Sequence, residues 1–260
     1  MSNLLEVKGV TKRFGGVIAN KDVTFSVETG NITGLIGPNG AGKSTMFNMV
    51  SAVFPPTEGE IWFQGKRIDQ LPSYKVAPLG ISRTFQNLQV FKTMTVLENV
   101  MVGLHTKTKS GIVAAALKTK KMRQEEEDMY ENALQWIDFV GLSDVVATEA
   151  SNLPLGKLRL LELARALATS PSLLLLDEIA AGLNNQETLE MANLIKAIRD
   201  KGISIFVVEH DMDLVMTICD KIIVLDQGEK IAEGTPKEVQ SNERVVEAYL
   251  GASEDEEVIS

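Results

Sequence analysis

A chain of 260 residues, 44 % of them hydrophobic, is long enough for one large domain with a sizeable core. Its formal net charge of −9 argues against nucleic acid as a partner, because a phosphate backbone calls for a basic surface. The single cysteine, Cys219, excludes an intrachain disulfide and fits a reducing cytosol, and its apolar setting after Val215 marks a buried structural thiol.

No basic-plus-apolar signal segment opens the sequence, and no run approaches the roughly 20 apolar residues of a membrane span. Work at a membrane is therefore expected to go through a partner. In chain order, Leu4 to Val10 reads as a strand, and Val23 to Val27 alternates apolar with polar residues. With Glu60 to Phe63, closed by Gln64-Gly65, these predict a small antiparallel sheet. Ile32 to Ile36 is a further strand, and Lys43 to Ala52 a helix. Between them runs Gly37-Pro38-Asn39-Gly40-Ala41-Gly42-Lys43-Ser44, which fits the phosphate-binding loop pattern in the strand–loop–helix order that the chemistry needs. The glycines let the backbone turn so that several N–H groups face one anion. Lys43 is expected to reach the β- and γ-phosphates of a nucleotide. Ser44 is expected to ligate Mg²⁺, with the positive end of the helix behind it.

Arg83-Thr84-Phe85-Gln86 lies where the β-rich start meets a helical stretch, and Gln86 is a candidate to contact Mg²⁺ or water and to sense a partner. Val96 to Leu104 and Met129 to Val140 carry apolar residues at helical spacing. The basic-then-acidic run from Lys118 to Asp128 reads as an exposed helix laced with i,i+4 pairs or, alternatively, as a contact for lipid headgroups or a partner. Glu162 to Thr169 and Glu187 to Lys201 are predicted helices; Leu173 to Leu176 and Ile203 to Val208 are strands. Apolar runs without alternation suit a parallel sheet covered on both faces. The first run ends in Asp177-Glu178, two carboxylates at the C-terminal end of a buried strand, where open α/β sheets bind ligands. Asp177 is suited to hold Mg²⁺, and Glu178 to polarise a water attacking the γ-phosphoryl group. His210 follows the second run and is suited to position that water. Lys221 to Asp226 and Lys230 to Glu233 form a predicted hairpin, and Glu254 to Glu257 a solvated acidic tail.

Taken together, these motifs resemble the nucleotide-binding domain of ABC transporters, in the family's order and over roughly residues 4 to 250. The resemblance implies an α/β P-loop NTPase: a RecA-like parallel-sheet core with an antiparallel β subdomain, spanning 1–87 and 153–250. A helical subdomain is inserted at 88–152, and 251–260 is the tail. It implies ATP contacts from Asn39, Gly40, Gly42, Lys43, Ser44 and Thr45, with Phe14 stacking on adenine or, equally, anchoring the first sheet. Ser44, Gln86 and Asp177 would serve Mg²⁺; Glu178, His210 and Gln86 would serve hydrolysis.

The family's signature segment usually reads Leu-Ser-Gly-Gly-Gln; here it is Leu153-Pro154-Leu155-Gly156-Lys157. In the family this segment and the position of Asn184 serve the ATP of a second subunit, paired head to tail. Leu153 and Gly156 remain. Either Lys157 replaces the missing donors with charge, or that composite site is weak. Ile179 stands where proline is common, and Asn184 where many members have aspartate. The finer pattern, including Glu209-His210-Asp211-Met212 and Ala248-Tyr249-Leu250-Gly251, is similar to the first ATPase subunit of bacterial branched-chain amino acid importers. That implies a homo- or heterodimer on the cytoplasmic face of the membrane, integral permease subunits and, indirectly, an extracytoplasmic binding protein. Urea or amide importers, lipopolysaccharide exporters and a soluble ATPase of this fold are the alternatives.

Overall fold

The computed structural model describes residues 2–84, 88–104 and 120–249. Gln86 and the acidic tail fall outside the described residues. Two sheets and a set of helices make up the fold. The first sheet is antiparallel, in the order β2-β1-β4-β5, from β1 Asn3–Phe14, β2 Val17–Glu28, β4 Glu58–Phe63 and the short β5 Lys66–Arg67. Its first two strands run well beyond the segments read from sequence. Successive register shifts at Val7/Val10 and Val10/Lys12 let β1 bend and keep pairing with β2.

The second sheet has the order β10-β9-β3-β8-β7-β6. β3 Ile32–Ile36, β6 Ile81–Arg83, β7 Leu173–Asp177, β8 Ser204–Val208 and β9 Lys221–Asp226 pair in parallel, and β10 Glu229–Gly234 returns antiparallel to β9. β6 escapes a sequence reading because three residues show no periodicity. Along β7, Leu173 and Leu175 face one core and Leu174 and Leu176 the other; in β8, Phe206 and Val208 oppose Ile205 and Val207. That double burial is why these strands read as unbroken apolar runs.

One core lies between the two sheets around α1 Lys43–Val50, where Phe47 and Phe25 stack on Phe206 at centroid distances of 5.8 and 5.6 Å. Each such ring contributes roughly 2–3 kcal/mol by burial. The other face of the parallel sheet carries most of the remaining helices. After α2 Ser73–Val76 come α3 Val96–Leu104, α4 Lys120–Phe139 and α5 Leu155–Ala168, then α6 Asn185–Asp200, α7 Met212–Ile218 and α8 Pro236–Gln240. In α6 the buried set Met191, Ala192, Ile195 and Ile198 forms one stripe. Cys219 is buried, as expected. Burial pushes its thiol far above the ordinary range.

The helix expected from Glu162 in fact begins at Leu155, one residue after Pro154. Pro154 sits at the N-cap with extended backbone (φ −66, ψ 161), so its ring precedes the helix and costs no internal hydrogen bond. Asn184 caps α6. Its side-chain oxygen accepts from the N–H groups of Gln186 and Glu187, both at 3.0 Å, and Glu187 Oε2 accepts from Asn184 N at 2.9 Å. The side-chain oxygen of Asn184, at the position that the resemblance assigns to a second subunit's ATP, is engaged in this cap.

Candidate active site

The loop from Gly37 to Gly42 leaves the C-terminal end of β3, in the middle of the parallel sheet, and feeds α1. Gly42 caps the helix in the left-handed region (φ +93). A Cβ there would lie 2.3 Å from Ala19 O, so only glycine lets the loop pass under β2. Lys43 is 5 % exposed, and its Nζ donates to the carbonyls of Gly37 (2.6 Å) and Pro38 (2.9 Å). Burial lowers its pKa, and Glu178 partly opposes that shift. A buried cation held by neutral carbonyls at a helix N-terminus is fitted to an arriving phosphate, which supplies the missing countercharge.

A cavity of about 480 Å³ opens over this loop, walled by Asn39, Gly40, Gly42, Lys43, Ser44 and Thr45, by Val17 to Ala19 of β2, and by Glu178 and His210. Besides Asp177 and Phe14, eight residues within the described regions are expected from sequence at the chain's own nucleotide, and all eight meet at this cavity. Phe14 is not among the walls. Its ring is 48 % exposed, edge-on to Phe54 at 5.5 Å, with Lys12 Nζ 5.1 Å above it.

Glu178 sits just past β7 with φ +49, an uncommon conformation for a non-glycine residue and one found at functional sites. Its N–H donates to Val208 O at 2.9 Å, which ties the ends of β7 and β8 together. His210 Nε2 lies 2.9 Å from Glu178 Oε1. The two elements thus bring an acid and a base to one wall, where they can orient a water beside the phosphate loop.

Asp177 is placed differently from the sequence expectation. It does not line the cavity; Oδ2 accepts from Arg83 Nη2 at 2.8 Å. Arg83 Nη1 also donates to Asn48 Oδ1 and Ser51 Oγ at 2.7 Å, and its guanidinium lies 4.8 Å from the Phe47 ring centroid. Arg83 was missed because its partners are distant in sequence. Among the described residues there is no group of three or more His, Cys, Asp or Glu able to cage a metal. Mg²⁺ does not require one, since it binds through one or two protein oxygens, water and substrate phosphates. Ser44 at the cavity wall and Asp177 at the strand end supply suitable oxygen donors.

Leu155, Gly156 and Lys157 form the first turn of α5, so their N–H groups have no partner within the helix. A Cβ on Gly156 would lie 2.6 Å from Glu187 Oε1, which places this turn against the cap of α6. Lys157 does not present a loose cation: Nζ pairs with Asp144 Oδ2 at 2.6 Å. Leu153 is buried.

A second cavity, about 540 Å³, is lined by Arg83, Gln89, Phe91, Gly103, Glu162 and Arg165, among others. α3 and α5 cross closely beneath it, since a Cβ on Gly103 would stand 2.4 Å from Arg165 O. The Arg165 guanidinium lies 5.7 Å from the Phe91 ring, and burial lowers its pKa.

Residues 20–181 match the ABC transporter family model, and residues 229–259 match that of the branched-chain amino acid ATP-binding cassette transporter. The chain is 42 % identical to the high-affinity branched-chain amino acid transport ATP-binding protein BraF of Pseudomonas aeruginosa, over 95 % of this chain and 98 % of that one. A crystal structure of an ABC transporter's ATP-binding cassette in its ADP conformation superposes with a TM-score of 0.84 at 34 % identity, covering 96 % of this chain and 100 % of that one. A dimeric bacterial ABC transporter cassette gives 0.76 at 26 % identity, covering 89 % and 98 %. With the loop, Glu178 and His210 in one site, the chain belongs to the ABC transporter family, as one of its ATP-binding, ATP-hydrolysing cassettes.

Proposed function

We propose that this chain powers import of branched-chain or related amino acids by hydrolysing ATP in a dimer with a second ABC ATPase. The observation that carries the hydrolytic part is the 2.9 Å contact between Glu178 and His210 on the wall that also holds Lys43 and Ser44. The cargo rests on the likeness to BraF.

The loop N–H groups and Lys43 bind the phosphates, with Lys43 exchanging its two carbonyl partners for phosphate oxygens. Asn39, Gly40, Gly42 and Thr45 shape the cradle, and Phe14 offers a ring for adenine. Ser44 and Asp177, with Gln86, would hold Mg²⁺, which supplies charge neutralisation on the phosphate oxygens when bound. Glu178 orients the attacking water and draws its proton; His210 holds the Glu178 carboxylate in place.

In trans, the first-turn N–H groups of α5 at Leu155, Gly156 and Lys157 face the partner's ATP, behind Leu153. The amide of Asn184 reaches the same interface. Lys157 adds charge there only if Asp144 releases it; ATP-driven dimerisation unchanged by Lys157→Ala would end that role. The unit 88–152 transmits closure of the dimer to a permease subunit through the groove at Phe91. Among the described residues no helix is long and apolar enough to cross a membrane. Attachment to the cytoplasmic face therefore runs through integral permease subunits, with an extracytoplasmic binding protein upstream and no nucleic acid involved.

The test is purification of the tagged chain from its native membrane. Recovery of two polytopic subunits and a second, related ATPase, with ATPase activity stimulated by leucine and its binding protein, is the expected result. Recovery alone or with ribosomes would overturn the transporter role and leave the ATP site standing.

A further inference from the structure

Two of the residues expected to serve Mg²⁺ stand on different elements: Ser44 lies in the first turn of α1, and Asp177 ends β7. One guanidinium joins those elements. Arg83, the last residue of β6, donates from Nη2 to Asp177 Oδ2 at 2.8 Å. Its Nη1 donates to Asn48 Oδ1 and to Ser51 Oγ, both at 2.7 Å. Asn48 comes one helical turn after Ser44, and Ser51 follows at the C-cap, so the three share one side of α1.

The linkage is buried and braced. The Arg83 side chain is 13 % exposed and that of Asp177 8 %. The guanidinium lies 4.8 Å from the ring centroid of Phe47, itself fully buried on α1. Thr84, the next residue, holds the backbone beside it. Its N–H donates to Leu175 O at 2.9 Å, and its Oγ1 accepts from Asp177 N at 3.3 Å. Asp177 is thus fixed at its backbone N–H and at Oδ2. Among the described residues its Oδ1 has no hydrogen-bond partner. A planar guanidinium sets the angle of the carboxylate it meets, whereas a lysine ammonium acts as a point charge.

We propose that Arg83 is a positioning residue for the Mg²⁺ donors: it fixes the Asp177 carboxylate by one oxygen, leaves the other to the ion, and sets the spacing between Asp177 and the helix that carries Ser44. The proposal rests on the reading of Ser44 and Asp177 as those donors. Groups that orient a ligating carboxylate are worth about 10- to 100-fold in metal affinity. Arg83 stands outside the cavity over the phosphate loop. Its effect therefore belongs in what Mg²⁺ adds to nucleotide binding, and not in the loop's own grip on phosphate.

The experiment uses the full chain and Arg83→Lys, which keeps a cation beside Asp177 and removes the fork. ADP affinity is measured by calorimetry in EDTA and in saturating Mg²⁺, and the ratio of the two Kd values is the readout. Wild type is expected to bind ADP more tightly with Mg²⁺. In Arg83→Lys the Kd in EDTA is expected within about twofold of wild type, while the gain from Mg²⁺ falls about 10-fold or disappears. Ser51→Ala removes one anchor of the guanidinium and leaves Asp177 its partner. It is expected to reduce the gain by about 3-fold, and it carries the test where Arg83→Lys does not fold. A gain equal to wild type overturns the proposal. So does a larger gain, which would make Arg83 a competitor of Mg²⁺ for Asp177. Equal weakening of ADP with and without Mg²⁺ marks a purely structural contact and also overturns it. A wild-type chain whose ADP affinity ignores Mg²⁺ would instead overturn the metal role of Ser44 and Asp177, on which the proposal rests.

Discussion

Glu209, between β8 and His210, is 4 % exposed, and its ionisation should set how stability depends on pH. Burial raises its pKa from the ordinary 4.5 to about 7, and the nearby Glu178 and Asp211 carboxylates push the same way. The N–H groups of Ala180 and His210 oppose the shift, the first donating to Oε1 at 3.0 Å. The sign follows from proton counting. Between pH 4.5 and 7 the folded chain keeps a proton that the unfolded chain has lost. The contribution is complete below the unfolded pKa and is lost as pH rises through the folded one. The rise from 4.5 to about 7 corresponds to roughly 3 kcal/mol.

Glu209→Gln removes the titration and retains a carbonyl acceptor for Ala180. Placing its amide nitrogen near the His210 N–H costs a pH-independent amount, on the order of 1–3 kcal/mol. The variant should therefore be the less stable form at pH 5 and gain on wild type up to pH 8, by roughly 3 kcal/mol in total. Urea unfolding of both proteins at unit pH intervals measures this difference directly. Parallel stability profiles between pH 5 and 8 would refute the reasoning.

Gly37→Ala places a Cβ 2.0 Å from Leu225 O at φ +151, so it should cost at least about 3 kcal/mol and abolish nucleotide binding; a variant with wild-type melting and ADP affinity would refute this. Arg83→Met leaves the Asp177 carboxylate buried without its 2.8 Å partner and should destabilise by about 3–5 kcal/mol in urea unfolding, with Arg83→Met/Asp177→Asn recovering part of the loss. A loss under about 1 kcal/mol would show the pair to be dispensable. Phe91→Asp puts a charge on the rim of the groove beside Arg165 and should uncouple ATPase activity from the permease while ADP affinity stays within about twofold, the scale of a substitution away from the nucleotide. Wild-type coupling in the reconstituted Phe91→Asp complex would count against the docking role.

Much of this protein is legible in its sequence because its key chemistry is contiguous. The phosphate loop is one run of eight residues, from Gly37 to Ser44, between a strand and a helix. The Asp177-Glu178 pair closes an apolar run whose lack of alternation itself reports double burial. Element bounds were less legible. Pro154 reads as a helix breaker until its place at the N-cap is known, and β6 is too short to show a period.

The sequence by itself determined which residue types stand at the loop, the strand ends and the histidine, because backbone geometry over a few residues dictates them. Tertiary structure alone decided what each of those residues meets. Arg83 and Asp177 are 94 positions apart and share a hydrogen bond because β6 and β7 are neighbours in the sheet. The carbonyl oxygen of Asn184 is committed to capping α6 and Lys157 to Asp144, so neither is the open donor or acceptor its residue type suggests. Such pairings depend on strand order and register, which no local run of residues encodes.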